Sequence, residues 1–156
     1  LDIGCGNGWV VREFLNNNLC INATGIDGAK NMINKANSYN LGQFLNKDIE
    51  HYNFNKKFDI VFSMETFYYF SNPNKIINSI YQNGIKKNGL FIIGLDHYKE
   101  NKSSLSWGKD YNLHLNTLSS NEWINMFKNA GFKKIIYKNV NADKDWQGTL
   151  VILGVK

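Results

Sequence analysis

The stretch Leu1-Asp2-Ile3-Gly4-Cys5-Gly6-Asn7-Gly8 reads as the end of a buried strand entering a tight glycine turn, with a helix beginning near Gly8. Leu1 and Ile3 are apolar, as an interior strand of a parallel sheet requires. Asp2 sets a carboxylate at the carboxyl end of that strand. Gly4, Gly6 and Gly8 strip every Cβ from one side of the turn. Backbone without side chains can touch a ligand directly and reaches positive φ at little cost. The free N–H groups of the helix that follows favour an anion in the same place. The reading is a ligand loop at the carboxyl edge of a parallel sheet, where open α/β folds bind their ligands. The plainer alternative is a glycine turn that only lets strand and helix pack closely.

The dinucleotide fingerprint Gly-x-Gly-x-x-Gly would set its third glycine at the position of Trp9, so the loop is not that fingerprint. Downstream, Ala23–Asp27 reads as a second strand closing on an acid. A carboxylate about 20 residues beyond a glycine loop is a known device for holding ribose hydroxyls, and Asp27 fits it; an N-cap for the next helix is the alternative. Gly28 to Asn40 reads as a helix carrying Met32, Ile33 and Ala36 on one face, with Met32 placed against a ligand or in the core. Gly42–Glu50 reads as a third strand ending at Asp48, followed by Ile49. Phe58–Ser63 is a fourth, strongly apolar strand leading into Met64-Glu65-Thr66-Phe67-Tyr68-Tyr69-Phe70. Asn72 and Pro73 suit a helix start, and a turn at Lys87-Asn88-Gly89 precedes a fifth strand, Leu90–Asp96.

Asp96 to Ser119 is long and without periodicity, yet holds His97, Tyr98, Trp107, Tyr111 and His114. Loops of this length in compact domains are usually functional, and the reading is a substrate lid. Ser119-Ser120-Asn121-Glu122 is a capping box for a helix stopping at Gly131. Strands follow at 133–140 and 148–155. The seven residues between them are too few for a parallel crossover, which needs about a dozen. These two strands are therefore antiparallel neighbours.

With 156 residues, the chain is read as one domain. No apolar run is long enough to span a bilayer. The chain opens inside a strand and without methionine, so the expectation is that it lacks its natural N-terminal segment. Cys5 and Cys20 make no disulfide framework, which points to a reducing, cytoplasmic setting. The net charge of +5 comes from scattered lysines, with Arg12 the one arginine. That pattern lacks the clustered arginines of a nucleic-acid face, so no nucleic-acid partner is expected.

The pattern acid-x-Gly-x-Gly-x-Gly at Asp2–Gly8, the strand-end acids Asp27 and Asp48, the segment after the fourth strand and the closing hairpin together resemble the class I S-adenosylmethionine (SAM) dependent methyltransferases, of the ubiquinone-type and small-molecule kind. The resemblance covers nearly the whole chain. It implies an α/β, Rossmann-like three-layer sandwich whose seven-stranded, mostly parallel sheet has one antiparallel strand near the C-terminal edge. It implies that Asp2, Gly4, Cys5, Gly6 and Gly8 hold the methionyl end of SAM, that Asp27 and Gly28 hold the ribose, that Met32, Asp48 and Ile49 meet the adenine, and that Ser63 and Met64 lie beside the sulfonium. Tyr68 and Tyr69 stand where relatives carry histidine, and with Tyr98 and Trp107 they are the expected acceptor-side residues. His97, His114 and Glu65 are the candidate bases. The expected reaction is in-line displacement of the sulfonium methyl by an O, N or C nucleophile of a small molecule, leaving S-adenosylhomocysteine (SAH), with no metal. An NAD(P)-dependent oxidoreductase of related fold and a non-catalytic SAM-binding domain are the alternatives.

Overall fold

A computed structural model describes residues 1–156. Seven strands form one sheet: β1 (Asp2–Ile3), β2 (Thr24–Asp27), β3 (Gln43–Asn46), β4 (Phe58–Met64), β5 (Ile85–Leu95), β6 (Lys133–Val140) and β7 (Thr149–Val155). Their order is β3-β2-β1-β4-β5-β7-β6. The pairs β1–β2, β1–β4, β2–β3 and β4–β5 are parallel, whereas β7 runs antiparallel to both β5 and β6. The reversed strand expected from the short 141–147 connection is β7, which slots between β5 and β6.

Side chains alternate across a strand, and the two residues of β1 divide accordingly. Ile3 joins the larger apolar cluster with Val61, Phe91, Ile93 and Trp123. That cluster is covered by α3 (Pro73–Ser79) and α5 (Ser120–Ala130). A smaller cluster of Cys5, Val11, Ile33, Ala36 and Phe44 joins the sheet to α1 (Trp9–Asn16) and α2 (Lys30–Asn37). Helix α5 begins as its sequence requires: Ser119 Oγ accepts from the Glu122 amide, and Glu122 reaches back to the Ser119 amide at 2.8 Å.

Three expectations shift. β3 ends at Asn46 rather than Asp48, because Asp48 caps a one-turn 3₁₀ helix, Ile49–His51, through the Glu50 amide. β5 starts at Ile85, and the expected turn survives as a bulge opposite Phe58–Ile60, with Asn88 at φ +62°. The 96–119 stretch is not structureless: it holds a 3₁₀ turn, Lys102–Ser104, and a short helix α4 (Trp107–Asp110). No helix is long and apolar enough to cross a membrane.

Candidate functional site

Two cavities flank the sheet centre. One, about 380 Å³, lies at the amino ends of the strands among Leu1, Asp2, Val11, Phe14, Ala23 and Ile60. The other, about 480 Å³, opens at the carboxyl ends and is lined by Gly4, Ile26, Asp27, Gly28, Lys47, Asp48, Ile49, Met64, Glu65, Thr66, Tyr69 and Phe70. The first is walled mainly by apolar side chains, whereas the second gathers carboxylates from three successive strand ends around bare backbone. Ligands of open α/β sheets bind at carboxyl ends, so the second is the candidate site.

The three glycines do different work. All have φ between +52° and +76°. A Cβ on Gly4 would stand 2.1 Å from Thr66 Oγ1, and one on Gly8 would stand 2.3 Å from the Phe44 ring. Those two positions are closed by packing. A Cβ on Gly6 would meet nothing within 4 Å, so Gly6 leaves an open face that only a ligand or solvent can cover. Above it, the amides of Gly4 and Cys5 are spent on the Ile26 carbonyl at 2.8 and 3.1 Å, tying the loop to β2.

Asp27 holds the site together. One oxygen accepts from the Gly6 amide at 2.8 Å and the other from the Ala29 amide at 2.7 Å. Each carboxylate oxygen keeps capacity for a second donor. Asn46 supports the same corner, donating to the carbonyls of Asp27 and Gly28. Asp48 is largely exposed; its oxygens take the Glu50 amide and the His51 ring, and the His51 bond holds its carboxyl below the usual range. Ile49 and Met64 complete the wall.

Other expected cofactor residues lie elsewhere. Asp2 is buried and borders the lower, apolar cavity, and burial pushes its carboxyl up to about 7. Cys5 packs against Gly25, with its thiol pushed up to about 12 by burial. Ser63 is buried and donates to the Ile3 carbonyl at 2.7 Å, joining β4 to β1. Met32 lies on the exposed face of α2, away from the cleft, because Ile33 and Ala36 take the buried positions.

The acceptor-side residues sort by burial. Tyr69 is 45% exposed and lines the cleft. Tyr68 is buried, and its hydroxyl donates to Glu65 Oε2 at 2.7 Å. Tyr98 is wholly buried and outside the cleft wall; its hydroxyl donates to the Gly148 carbonyl and accepts from Asn139, so it pins the 96–119 segment to the β6–β7 hairpin. Trp107 stacks between His97 and Trp146, at 6.2 and 6.3 Å.

Of the candidate bases, His97 is buried with both nitrogens engaged. Nδ1 meets the Ser104 carbonyl at 3.0 Å and Nε2 meets Thr117 Oγ1 at 2.8 Å. A carbonyl only accepts, which assigns the proton to Nδ1 and leaves Nε2 accepting from threonine. Burial lowers its pKa further, so His97 is a neutral strut. His114 is exposed, outside the cleft and without a hydrogen bond to its ring. Glu65 alone of the three borders the cleft. No cluster of three His, Cys, Asp or Glu side chains is arranged to hold a metal ion.

Sequence reasoning passed over Thr66, which closes the space beside Gly4, and Asp96, whose Oδ1 is buried without a donor. Asp96 carried a signal, since it follows β5 as Asp27 ends β2.

Comparison with known proteins bears on the same region. Residues 1–93 match the family model described as a methyltransferase domain. The malonyl-[acyl-carrier protein] O-methyltransferase of Calditerrivibrio nitroreducens is 30% identical over 156 residues, 98% of this chain and 59% of that protein. Malonyl-[acyl-carrier protein] O-methyltransferase 2 of Ilyobacter polytropus is 32% identical over 112 residues, 67% of this chain and 43% of that protein. The chain thus spans about half the length of the curated relatives it matches. Among solved structures, the methyltransferase complexed with the Trm112 activator of Haloferax volcanii superposes with a TM-score of 0.86 at 25% identity, covering 99% of this chain and 80% of that one. The plantazolicin methyltransferase solved with a triazolic analog and SAH gives a TM-score of 0.78 at 18% identity, covering 99% and 75%.

Proposed function

Because the chain belongs to the methyltransferase domain family, of the class I SAM-dependent kind, we propose that it transfers a methyl group from SAM to a small-molecule O, N or C acceptor. The observation that carries this reading is the convergence of Gly4, Asp27, Asp48 and Glu65 on one cleft at the carboxyl edge of the sheet. SAM suits the residues present: the bare face of Gly6 offers room for its methionyl end, and the spare capacity of Asp27 suits two ribose hydroxyls. Asp48 and Ile49 would hold the adenine, and Met64 would lie toward the sulfur. When bound, SAM supplies a sulfonium methyl group open to in-line attack.

The protein's own part is positioning. Holding two reactants in near-attack geometry supplies roughly 7–11 kcal/mol of a barrier. The glycine loop and Asp27 act as one rigid unit through the Gly6–Asp27 hydrogen bond, so the cofactor cradle is set before the ligand arrives. The acceptor would approach across Tyr69 and Phe70, on the open side of the cleft. A malonyl thioester belongs in any acceptor panel because of the relatives named above. We infer a cytoplasmic setting from the two free cysteines.

Calorimetry with SAM, SAH and NAD tests the reading. Binding of SAM and SAH without NAD is the expected result. Tight NAD binding without SAM would replace it with the oxidoreductase, and SAM binding without turnover of any acceptor would favour a sensing domain.

A further inference from the structure

Glu65 lines the cleft, and the carboxyl of Asp96 lies close enough to act on it. Glu65 follows β4 and Asp96 follows β5, the paired strands at the centre of the sheet. Glu65 has φ +53°, a conformation uncommon outside glycine. It is held there by its amide, which donates to the Gly94 carbonyl at 3.0 Å. The backbone is thus bent where the side chain enters the cleft wall, and such outliers gather at functional sites.

The pair lacks the partners that a purely structural carboxyl would have. Glu65 Oε2 takes the Tyr68 hydroxyl, but Glu65 Oε1 and Asp96 Oδ1 are buried without any donor. The ion pairs Lys86–Asp59 and Lys99–Glu122 and the His51–Asp48 contact all lie elsewhere. Around the two acids stand Tyr68, Tyr69 and the neutral His97, whose ring lies 5.6 Å from that of Tyr68. Lys47 lines the cleft, following β3. A neighbouring carboxyl with no cation between disfavours the charged form of Glu65. Burial pushes Glu65 up to about 7; the Tyr68 bond and the Asp96 backbone pull it down, and the Asp96 carboxyl pushes it up.

Resting on the methyl-transfer reading, we propose that Glu65 is the catalytic base, that Asp96 and Tyr68 are its positioning residues, and that the acceptor is an amine or hydroxyl rather than a carboxylate. As the acceptor nitrogen or oxygen bonds to the methyl carbon, the carbon–sulfur bond breaks and its electron pair stays on sulfur. The acceptor's proton passes to the Glu65 carboxylate and is held there against Asp96. Charge balances, since a sulfonium and a carboxylate become a neutral thioether and a carboxylic acid. A carboxylate acceptor has no proton to give and would set a third negative charge against the pair.

The test uses the full chain and four probes: SAH, a panel of primary amines and phenols, a malonyl thioester, and the carboxyl resonance of residue 65 followed by ¹³C NMR against Glu65→Gln. We expect transfer to an amine or phenol and none to the malonyl thioester. Glu65→Gln should lower kcat about 10²–10⁴-fold, the usual contribution of a general base, while SAH affinity is kept. Asp96→Asn should move the acid limb of the pH profile down and Tyr68→Phe should move it up, opposite shifts that loss of packing would not produce. The carboxyl resonance should titrate near neutral pH and follow the same two shifts, whichever acceptor is found. Methylation of the malonyl thioester alone, full kcat in Glu65→Gln, or a Glu65 resonance titrating in the ordinary carboxylate range would each overturn the proposal while SAH binding leaves methyl transfer standing. Absence of SAH binding in the parent chain would overturn both.

Discussion

At the scale of single residues, the glycine loop separates packing from binding. Gly6→Ala adds a methyl group to open space, so its main structural cost is the left-handed backbone, roughly 1–2 kcal/mol. We expect a folded protein that has lost SAH binding. Gly4→Ala drives a methyl group into Thr66 and should unfold at markedly lower temperature; the paired measurement is thermal denaturation with SAH calorimetry. If Gly6→Ala binds SAH as the parent does, the loop does not face the ligand. Asp27→Ala removes a carboxylate that accepts from the Gly6 and Ala29 amides. SAH binding should weaken by about 1–3 kcal/mol, the cost of losing hydrogen bonds to a charged group. An unchanged dissociation constant would exclude Asp27 from the site.

At the scale of elements, the 96–119 segment, which lines no part of the cleft, is held by few side chains. Tyr98 bonds the Gly148 carbonyl and Asn139, and Trp107 stacks between His97 and Trp146. Tyr98→Phe should cost about 1–3 kcal/mol, because the buried Gly148 carbonyl loses its donor, and should raise hydrogen exchange in 141–148 before the rest of the sheet. Uniform exchange across the sheet would mean that the segment is not pinned there. These elements also mark how far the sequence could be read. Glycine turn, strand-end acids, capping box and closing hairpin are local patterns, each written in residues close together in the chain, and the β7 reversal followed from a connection too short for a crossover. The 96–119 segment was opaque because its order comes from contacts such as Tyr98 with Gly148, 50 residues apart. Asp2 looked like its fellow strand-end acids, yet strand alternation turns it toward the cavity under α1, and no spacing rule distinguishes the two faces of a two-residue strand. Glu65 was legible as a candidate, but its pairing with Asp96 depends on β4 and β5 being neighbours.

At the scale of the molecule, buried acids set the pH dependence of stability. Burial raises Asp2 from 3.8 to about 7 and Glu65 from 4.5 to about 7. The folded state therefore holds protons that the unfolded chain releases. The stability involved is fully present below the unfolded values and is lost as pH rises through about 7. Asp48 and Glu122 shift downward and act in the opposite sense, with stability lost only in more acid solution. The melting temperature should fall between about pH 4 and pH 7, and Asp2→Asn should flatten that slope; a flat or rising parent profile over that window would contradict the assignment. The sheet order carries a consequence for biosynthesis. Residues 149–155 form β7, an interior strand seated between β5 and β6. While the ribosome has made everything up to the hairpin but not yet this segment, β5 presents a bare hydrogen-bonding edge and β6 has no neighbour to join. The nascent chain is then at its most adhesive, and a stall at that point would expose it longest.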